Sequence, residues 1–232
     1  MYSKVNADTL PHFNSQELQD IDQSSINSFG MSSELLMECA GFQSALFISR
    51  MVEDKHVFIF CGHGNNSGDG FVCARHLQLL QIPVSIVLCS EKDKYSDLVM
   101  QQYERCSLIS IPLLTFNEWS TLKDFSSHLY VDALLGIGLK GALRKPYKDI
   151  VQALNKHKNL TISLDVPSGF YDDIDIDVDS YVKSDILLSF GCLKQSFLRT
   201  HPLLGRIYLL YIGLYSEYSS SFVKRSIAEI IY

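Results

Sequence analysis

Three short stretches hold the residues best suited to chemistry. The first, VFIFCGHGNNSGDGFVCARHL, runs from Val57 to Leu77: an apolar strand, a glycine loop, then a helix. The loop comes close to the dinucleotide pattern GxGxxG. Gly62 and Gly64 are in place, Ser67 fills the third glycine slot, and Gly68 follows one residue late. Asp69 brings a negative charge to the helix end whose dipole and free N–H groups attract anions. Asn65 and Asn66 add amide groups that a phosphate cradle does not need. Taken singly, the asparagines suit a turn and Asp69 suits a helix cap. Together, in one loop after a buried strand, they point to a ligand richer than a plain phosphate.

Two more stretches share this design. In LYVDALLGIGLKGALRKPY, Asp132 stands near a strand end, and Gly136, Gly138 and Gly141 follow. In LTISLDVPSGF, Asp165 ends a strand, and Pro167, Ser168 and Gly169 follow. The Asn66 amide oxygen, the Asp132 carboxylate, the Ser168 hydroxyl and loop carbonyls are hard oxygen donors. They suit a group I or II cation better than zinc or copper. One carboxylate is few for a calcium cage, so a monovalent ion fits the set. Asp165 is left for proton transfer, and partial burial beside a ligand is one way to tune a carboxyl for it. The histidines show no HExxH spacing that would bring zinc. Glu91 falls where a dehydrogenase keeps its ribose-binding acid, or is a solvated loop acid beside Lys92 and Asp93.

These loops need a frame. Apolar runs at Val57–Cys61, Pro83–Cys89, Ser107–Leu113, His128–Leu134, Leu160–Val166, Ser184–Phe190 and Gly205–Ile212 read as strands buried on both faces. Helices alternate with them. Phe71, Ala74, Leu77 and Leu80 mark one apolar face, and Tyr95–Cys106, Trp119–Phe125 and Tyr147–His157 read as further helices. The alternation predicts an α/β fold with a doubly wound, mostly parallel sheet. All three loops then emerge at its carboxyl edge, where ligands bind at the crevice of reversed strand order.

The first fifty residues read as two helices. Asn14 with Glu17 caps the first, Leu18, Ile21, Asp22 and Ile26 continue it, and Gly30 ends it. Glu34–Val52 is the second, with small residues at Ala40 and Gly41. This pair would cover a sheet edge or build a dimer contact. The tail, 215–232, is serine-rich and then apolar at Val223, Ile227, Ile230 and Ile231, a spacing that suits a short docked helix.

With 232 residues, 47% of them hydrophobic, the chain suits one domain with a sizeable core. A formal charge of −6 with no basic stripe argues against nucleic acid. No signal peptide and no membrane span is read from the sequence. The six cysteines (39, 61, 73, 89, 106 and 192) form no CxxC pair and read as free thiols in a reducing cytoplasm.

The segments Cys61–Gly70, Val131–Arg144, Leu164–Gly169 and Ile212-Gly213 resemble, in order and spacing, the YjeF N-terminal domain family, the NAD(P)H-hydrate epimerases. Leu36–Gly41, LMECAG, is similar to that family's LMENAG. The likeness spans 14–214 of a single domain, 1–232. It implies a Rossmann-like, three-layer α/β/α fold, a homodimer, and interconversion of the R and S forms of hydrated NADH and NADPH (NAD(P)HX). A separate dehydratase would then consume the S form. By position, the implied substrate contacts are Asn65, Asn66, Ser67, Gly68, Asp69, Gly136, Ile137, Gly138, Leu139, Lys140, Gly141, Ala142 and Asp165. The implied potassium ligands are Asn66, Asp132 and Ser168, and Asp165 is the implied acid–base group. The phosphates would lie against the glycine turn at 136–142. The chain departs from the family pattern at Ser67, His63 and Cys39, and in SFGCLKQSF, which keeps Lys194 without the usual proline. Lys194 there reads as a surface lysine. Two other readings stay open: an inactive scaffold of the same fold, or an NAD(P)-dependent oxidoreductase.

Overall fold

The computed structural model describes residues 2–122, 128–138, 141–170, 180–214 and 227–232. The chain opens with two short strands, β1 (Ser3–Asn6) and β2 (His12–Phe13), and two helices, α1 (Ser15–Phe29) and α2 (Ser33–Ser49). Then β3 (His56–Cys61), α3 (Asn65–Leu79), β4 (Val84–Leu88), α4 (Asp97–Leu108) and β5 (Leu113–Thr115) wind out to one edge. After α5 (Phe116–Ser120) the chain returns to lay β6 (His128–Ala133) on the other side of β3. It continues through α6 (Tyr147–Lys156), β7 (Leu160–Leu164), β8 (Ile186–Phe190), β9 (Leu193–Lys194), α7 (Phe197–Thr200), β10 (Arg206–Leu210) and β11 (Ile227–Ile231).

Nine strands form one sheet in the order β1-β11-β10-β8-β7-β6-β3-β4-β5. Every neighbour pair is parallel except β10 with β11. Strand order reverses between β3 and β6, which makes the carboxyl end of that pair the ligand crevice. Alternate residues of β3 feed two cores. Val57, Ile59 and Cys61 face α2, α3 and α4, while Phe58 and Phe60 face Trp119 of α5 and Ile150 and Leu154 of α6. This double burial is why the strands read as unbroken apolar runs, and the result is the expected three-layer α/β/α fold.

Glycine decides two close approaches. A Cβ at Gly41 would sit 2.4 Å from Val72 Cβ, so α2 lies directly on α3. A Cβ at Gly62 would sit 2.1 Å from the Leu134 carbonyl oxygen, where the β3 loop crosses the β6 loop. Gly62→Ala is therefore expected to cost about 1–3 kcal/mol in urea melts, the usual toll of forcing atoms into packed space. An unchanged midpoint would contradict that tight crossing.

The Asn14–Glu17 capping box and the left-handed Gly30 cap bound α1 as read from sequence. Other expectations are corrected. Ser107–Leu113 is not a strand: α4 continues to Leu108, Ser110 reverses the chain at φ 59, and only Leu113 enters β5. The expected Trp119–Phe125 helix is α5, set earlier by a Thr115–Glu118 capping box, and 123–127 lie outside the described residues. Leu80 is not on the apolar face of α3 but caps it, 46% exposed. The tail is not a helix: 227–231 form β11, antiparallel to β10 and parallel to β1. Val223 lies outside the described residues. The N-terminal region is more than a helix pair, since β1 edges the sheet and β2 pairs with β9. Among the described residues no helix is long and apolar enough to cross a membrane.

Candidate active site

The three loops meet. A cavity of about 570 Å³ opens at the carboxyl edge, lined by Asn65, Asn66 and Asp69 from the first loop, Gly136–Gly138 from the second and Asp165 from the third. Leu18, Asp22 and Ile26, spaced four apart on α1, line the opposite wall. The first helix therefore roofs the cavity rather than a sheet edge.

Beneath the cavity floor lies a fully buried carboxylate, Asp132. Its Oδ2 accepts from Ser163 Oγ at 2.9 Å and from Ser168 N at 2.8 Å. Its Oδ1 accepts from Ser168 Oγ at 2.5 Å and Leu134 N at 3.2 Å. Burial pushes this carboxyl up, and the bonds from Ser168, Ser163 and Leu134 pull it back towards the charged form. Asp132 thereby ties β6, β7 and the loop after β7 together. Ser168 Oγ also accepts from Leu135 N at 2.9 Å, which binds the second loop to the third.

Asn66 spans the same junction. Its Nδ2 donates to Leu135 O at 2.9 Å and to Leu164 O at 3.2 Å. Its Oδ1 is buried and has no protein partner. Such an atom costs free energy unless something else satisfies it. The oxygens linked to it are hard: the Leu135 carbonyl that accepts from Asn66 also accepts from Ser168 Oγ, which in turn bonds Asp132. The residues therefore fit a hard monovalent cation. Among the described residues no group of His, Cys, Asp and Glu forms a transition-metal site.

Asp69 resolves the charge puzzle of the glycine loop. It is not the helix cap: Gly64 is, and it makes no side-chain cap bond. Asp69 lies one turn into α3, half-buried on the cavity wall. Desolvation raises its carboxyl well above the usual range, and Asp165 and Asp22 raise it further. Both causes favour the neutral acid over the carboxylate, the form that repels an anion least. Asp22 moves the same way, from 3.8 to about 6, through desolvation first and then Asp165, with Lys194 opposing. A carboxyl raised on folding stabilises fully at low pH and loses that contribution as pH climbs through about 6. Thermal melts should show stability falling between pH 4 and pH 6.5, and Asp22→Asn should flatten that fall. An identical slope in the variant would contradict the raised carboxyl.

Not every sequence-derived contact reaches the cavity. Ser67 turns inward and donates to Ala133 O at 2.9 Å, with no positive φ, so the position tolerates serine. Gly68 is covered by Met37, where a Cβ would lie 2.5 Å from the sulfur. The close-packing glycine of the loop is Gly70, against Ala133 and Cys61. Gly141 and Ala142 are exposed and outside the lining, and Leu139 and Lys140 lie outside the described residues. Glu91 is an exposed loop acid outside the lining. His63 is exposed on the cavity rim, and its Nδ1 shares a 2.6 Å hydrogen bond with Tyr147 Oη.

Two site residues escaped the sequence. Asp22 looked like one more polar residue of an amphipathic helix. Lys194, read as a surface lysine, is 5% exposed and forms an ion pair with Asp165. Its legible signals were that SFGCLKQSF keeps this lysine and that apolar Leu193 and Phe197 stand near it.

An open sheet with an oxygen-rich cavity at its switch point and a paired acid defines a small-molecule enzyme of the nucleotide-binding α/β class. The chain belongs to the YjeF-related protein N-terminus family, whose sequence profile matches residues 33–196. It is 34% identical over 213 residues to an NAD(P)H-hydrate epimerase of Elusimicrobium minutum, covering 88% of this chain and 96% of that one. It is 34% identical over 184 residues to a bifunctional NAD(P)H-hydrate repair enzyme of Thermofilum pendens, of which it spans only 35%. The crystal structure of the yeast protein ynu0 matches 95% of this chain and 100% of its own, at a TM-score of 0.81 and 25% identity.

Proposed function

We propose that this chain is an NAD(P)H-hydrate epimerase, an isomerase that interconverts the R and S forms of hydrated NADH and NADPH. The observation that carries the reading is the meeting of Asn66 and Asp165 at one cavity, with the Asp132–Ser168 network tied to its Leu135 wall, in a chain so similar to named epimerases. Asn65, Asn66, Asp69, Gly136–Gly138 and Asp165 contact the substrate, with Gly136–Gly138 towards its phosphates. Potassium, one per subunit, is held by Asn66, Asp132 and Ser168. When bound, the ion supplies positive charge beside Asp132.

Epimerisation needs the C6 hydroxyl to leave and return on the other face. Asp165 as an acid protonates the leaving hydroxyl, and the ring nitrogen stabilises the resulting cation. The same group, now a carboxylate, takes a proton from the water that adds to the opposite face. Water lost equals water regained, and no electron moves. The likeness to named epimerases favours this reading over an inactive scaffold, and an oxidoreductase would change the redox state of the nicotinamide where an epimerase does not.

The homodimer of the family is part of this reading, as is a cytoplasmic location consistent with six free cysteines. A dehydratase is the functional partner, and the bifunctional relatives support a linked repair role. A coupled assay tests the function. An S-specific dehydratase given a mixture of both hydrates stalls on the R remainder, and added protein should drain it. A persistent remainder, or a change of absorbance at the reduced-nicotinamide band with this protein alone, would contradict the epimerase.

A further inference from the structure

The mechanism above leaves a buried ammonium without a task. Lys194 sits on β9, and its Nζ is bonded to Asp165 Oδ1 and donates to Ser189 Oγ at 3.0 Å. The lysine is itself firmly held. Ser189 Oγ donates to Cys192 O at 2.8 Å, Gly191 turns the chain at φ 64, and Phe13 of β2 pairs with Lys194 in register. Gln195 N then donates to Phe13 O at 2.8 Å. The Phe197 ring lies 5.9 Å from the ammonium. The departure SFGCLKQSF thus builds, with a glycine turn in place of proline, a rigid seat for one charged group.

Asp165 is equally constrained. Its backbone is left-handed at φ 64, a conformation that costs a non-glycine residue and persists only where its surroundings impose it. Its two oxygens have different surroundings. Oδ1 meets Lys194, while Oδ2 lies on the Gly136 side, 3.9 Å from where a Cβ on that glycine would stand. Gly136 and Asp165 both line the cavity.

We propose that Lys194 is a positioning residue for Asp165: by holding Oδ1 it aims Oδ2 at the space beside Gly136, where the reacting carbon of the hydrated ring sits. Asp22 of α1 and Asp69 of α3 face the same pair from the other walls, and Cys192 lies behind it. Among the described residues the ammonium pairs with Asp165 rather than with Asp22 or Asp69, and so selects one of three carboxyls. The inference rests on the epimerase reading.

A double-mutant cycle tests it. Lys194→Met keeps the stem and removes the charge, and it should lower kcat by about 10²-fold, as expected for a misaimed acid–base group. KM should stay within about threefold, because the loss falls on the transition state. Asp165→Asn/Lys194→Met should be no slower than Asp165→Asn alone, since the lysine acts only through the aspartate. Lys194→Arg, which keeps the buried charge, should recover part of the lost rate, and it carries the test through the same coupling with Asp165→Asn if the methionine variant does not fold. Multiplicative losses, or a Lys194 variant at the wild-type rate, would overturn the proposal. An inactive wild type would instead overturn the epimerase reading beneath it.

Discussion

Asp165→Asn is expected to lower epimerase turnover by about 10²–10⁴-fold, the range that general acid–base help supplies. Substrate affinity should change little. An amide is nearly the same size and still fits beside Gly136, but it neither delivers nor accepts the proton that the C6 hydroxyl exchanges. The side chain has one other duty, the ion pair with the buried Lys194, and the amide oxygen of asparagine still accepts a hydrogen bond there without the charge. Asp165 N donates to Leu188 O at 2.8 Å through the backbone, which the substitution leaves in place. Its left-handed φ of 64 is one that asparagine also tolerates. A folded protein with a lowered melt, because the Lys194 ammonium loses its counter-charge, and a collapsed rate is therefore the expected pair of results. Steady-state kinetics with each hydrate checks the rate, and isothermal titration checks the binding. Turnover within a few-fold of wild type would reduce Asp165 to a structural loop residue.

Asp132→Ala should act on the fold before it acts on chemistry. Four donors converge on this buried carboxylate. Ser168 Oγ has a fallback, the Leu135 carbonyl at 3.2 Å. The Leu134 and Ser168 backbone N–H groups have no such freedom. Leaving two or three buried donors unpaired costs about 2–9 kcal/mol, at roughly 1–3 kcal/mol each. That is a large share of the stability of an ordinary domain. Urea melts should show a midpoint far below wild type, and activity should vanish even where the variant is folded, because the proposed potassium site would lose its one carboxylate. Asp132→Asn would fare little better, since its amide would turn a donor towards donors. A stable, active alanine variant would contradict both roles of Asp132.

Much of this arrangement was legible in the sequence, for a physical reason. Strands β3, β4, β6, β7, β8 and β10 are buried on both faces, so they must be unbroken apolar runs. The loops after β3, β6 and β7 must hold polar groups at the same edge, because parallel strands all end there. Asn66, Asp132 and Asp165 could be placed together on that ground alone. What escaped depended on pairing across long chain separations. β1 and β11 are short, lie at an edge and meet each other from opposite chain ends. β9 has two residues and exists only because β2 lies beside it. Lys194 could not be recognised as buried before that pairing was known. Ser110 hid a helix end, because a left-handed serine does the work that a glycine would have announced. Asp22 carried no signal of its own, since an exposed helix face and a cavity wall show the same polar pattern until α1 is docked.

The central claim is that three loops at one sheet edge form a single centre that inverts C6 of a hydrated nicotinamide without redox change. Incubating the purified protein with the pure R hydrate, and following the isomers by chromatography, tests it most directly. The S form should grow at the expense of R until the two reach a constant ratio, far faster than in buffer and far slower with Asp165→Asn. An R hydrate that converts no faster than in buffer alone would contradict the account.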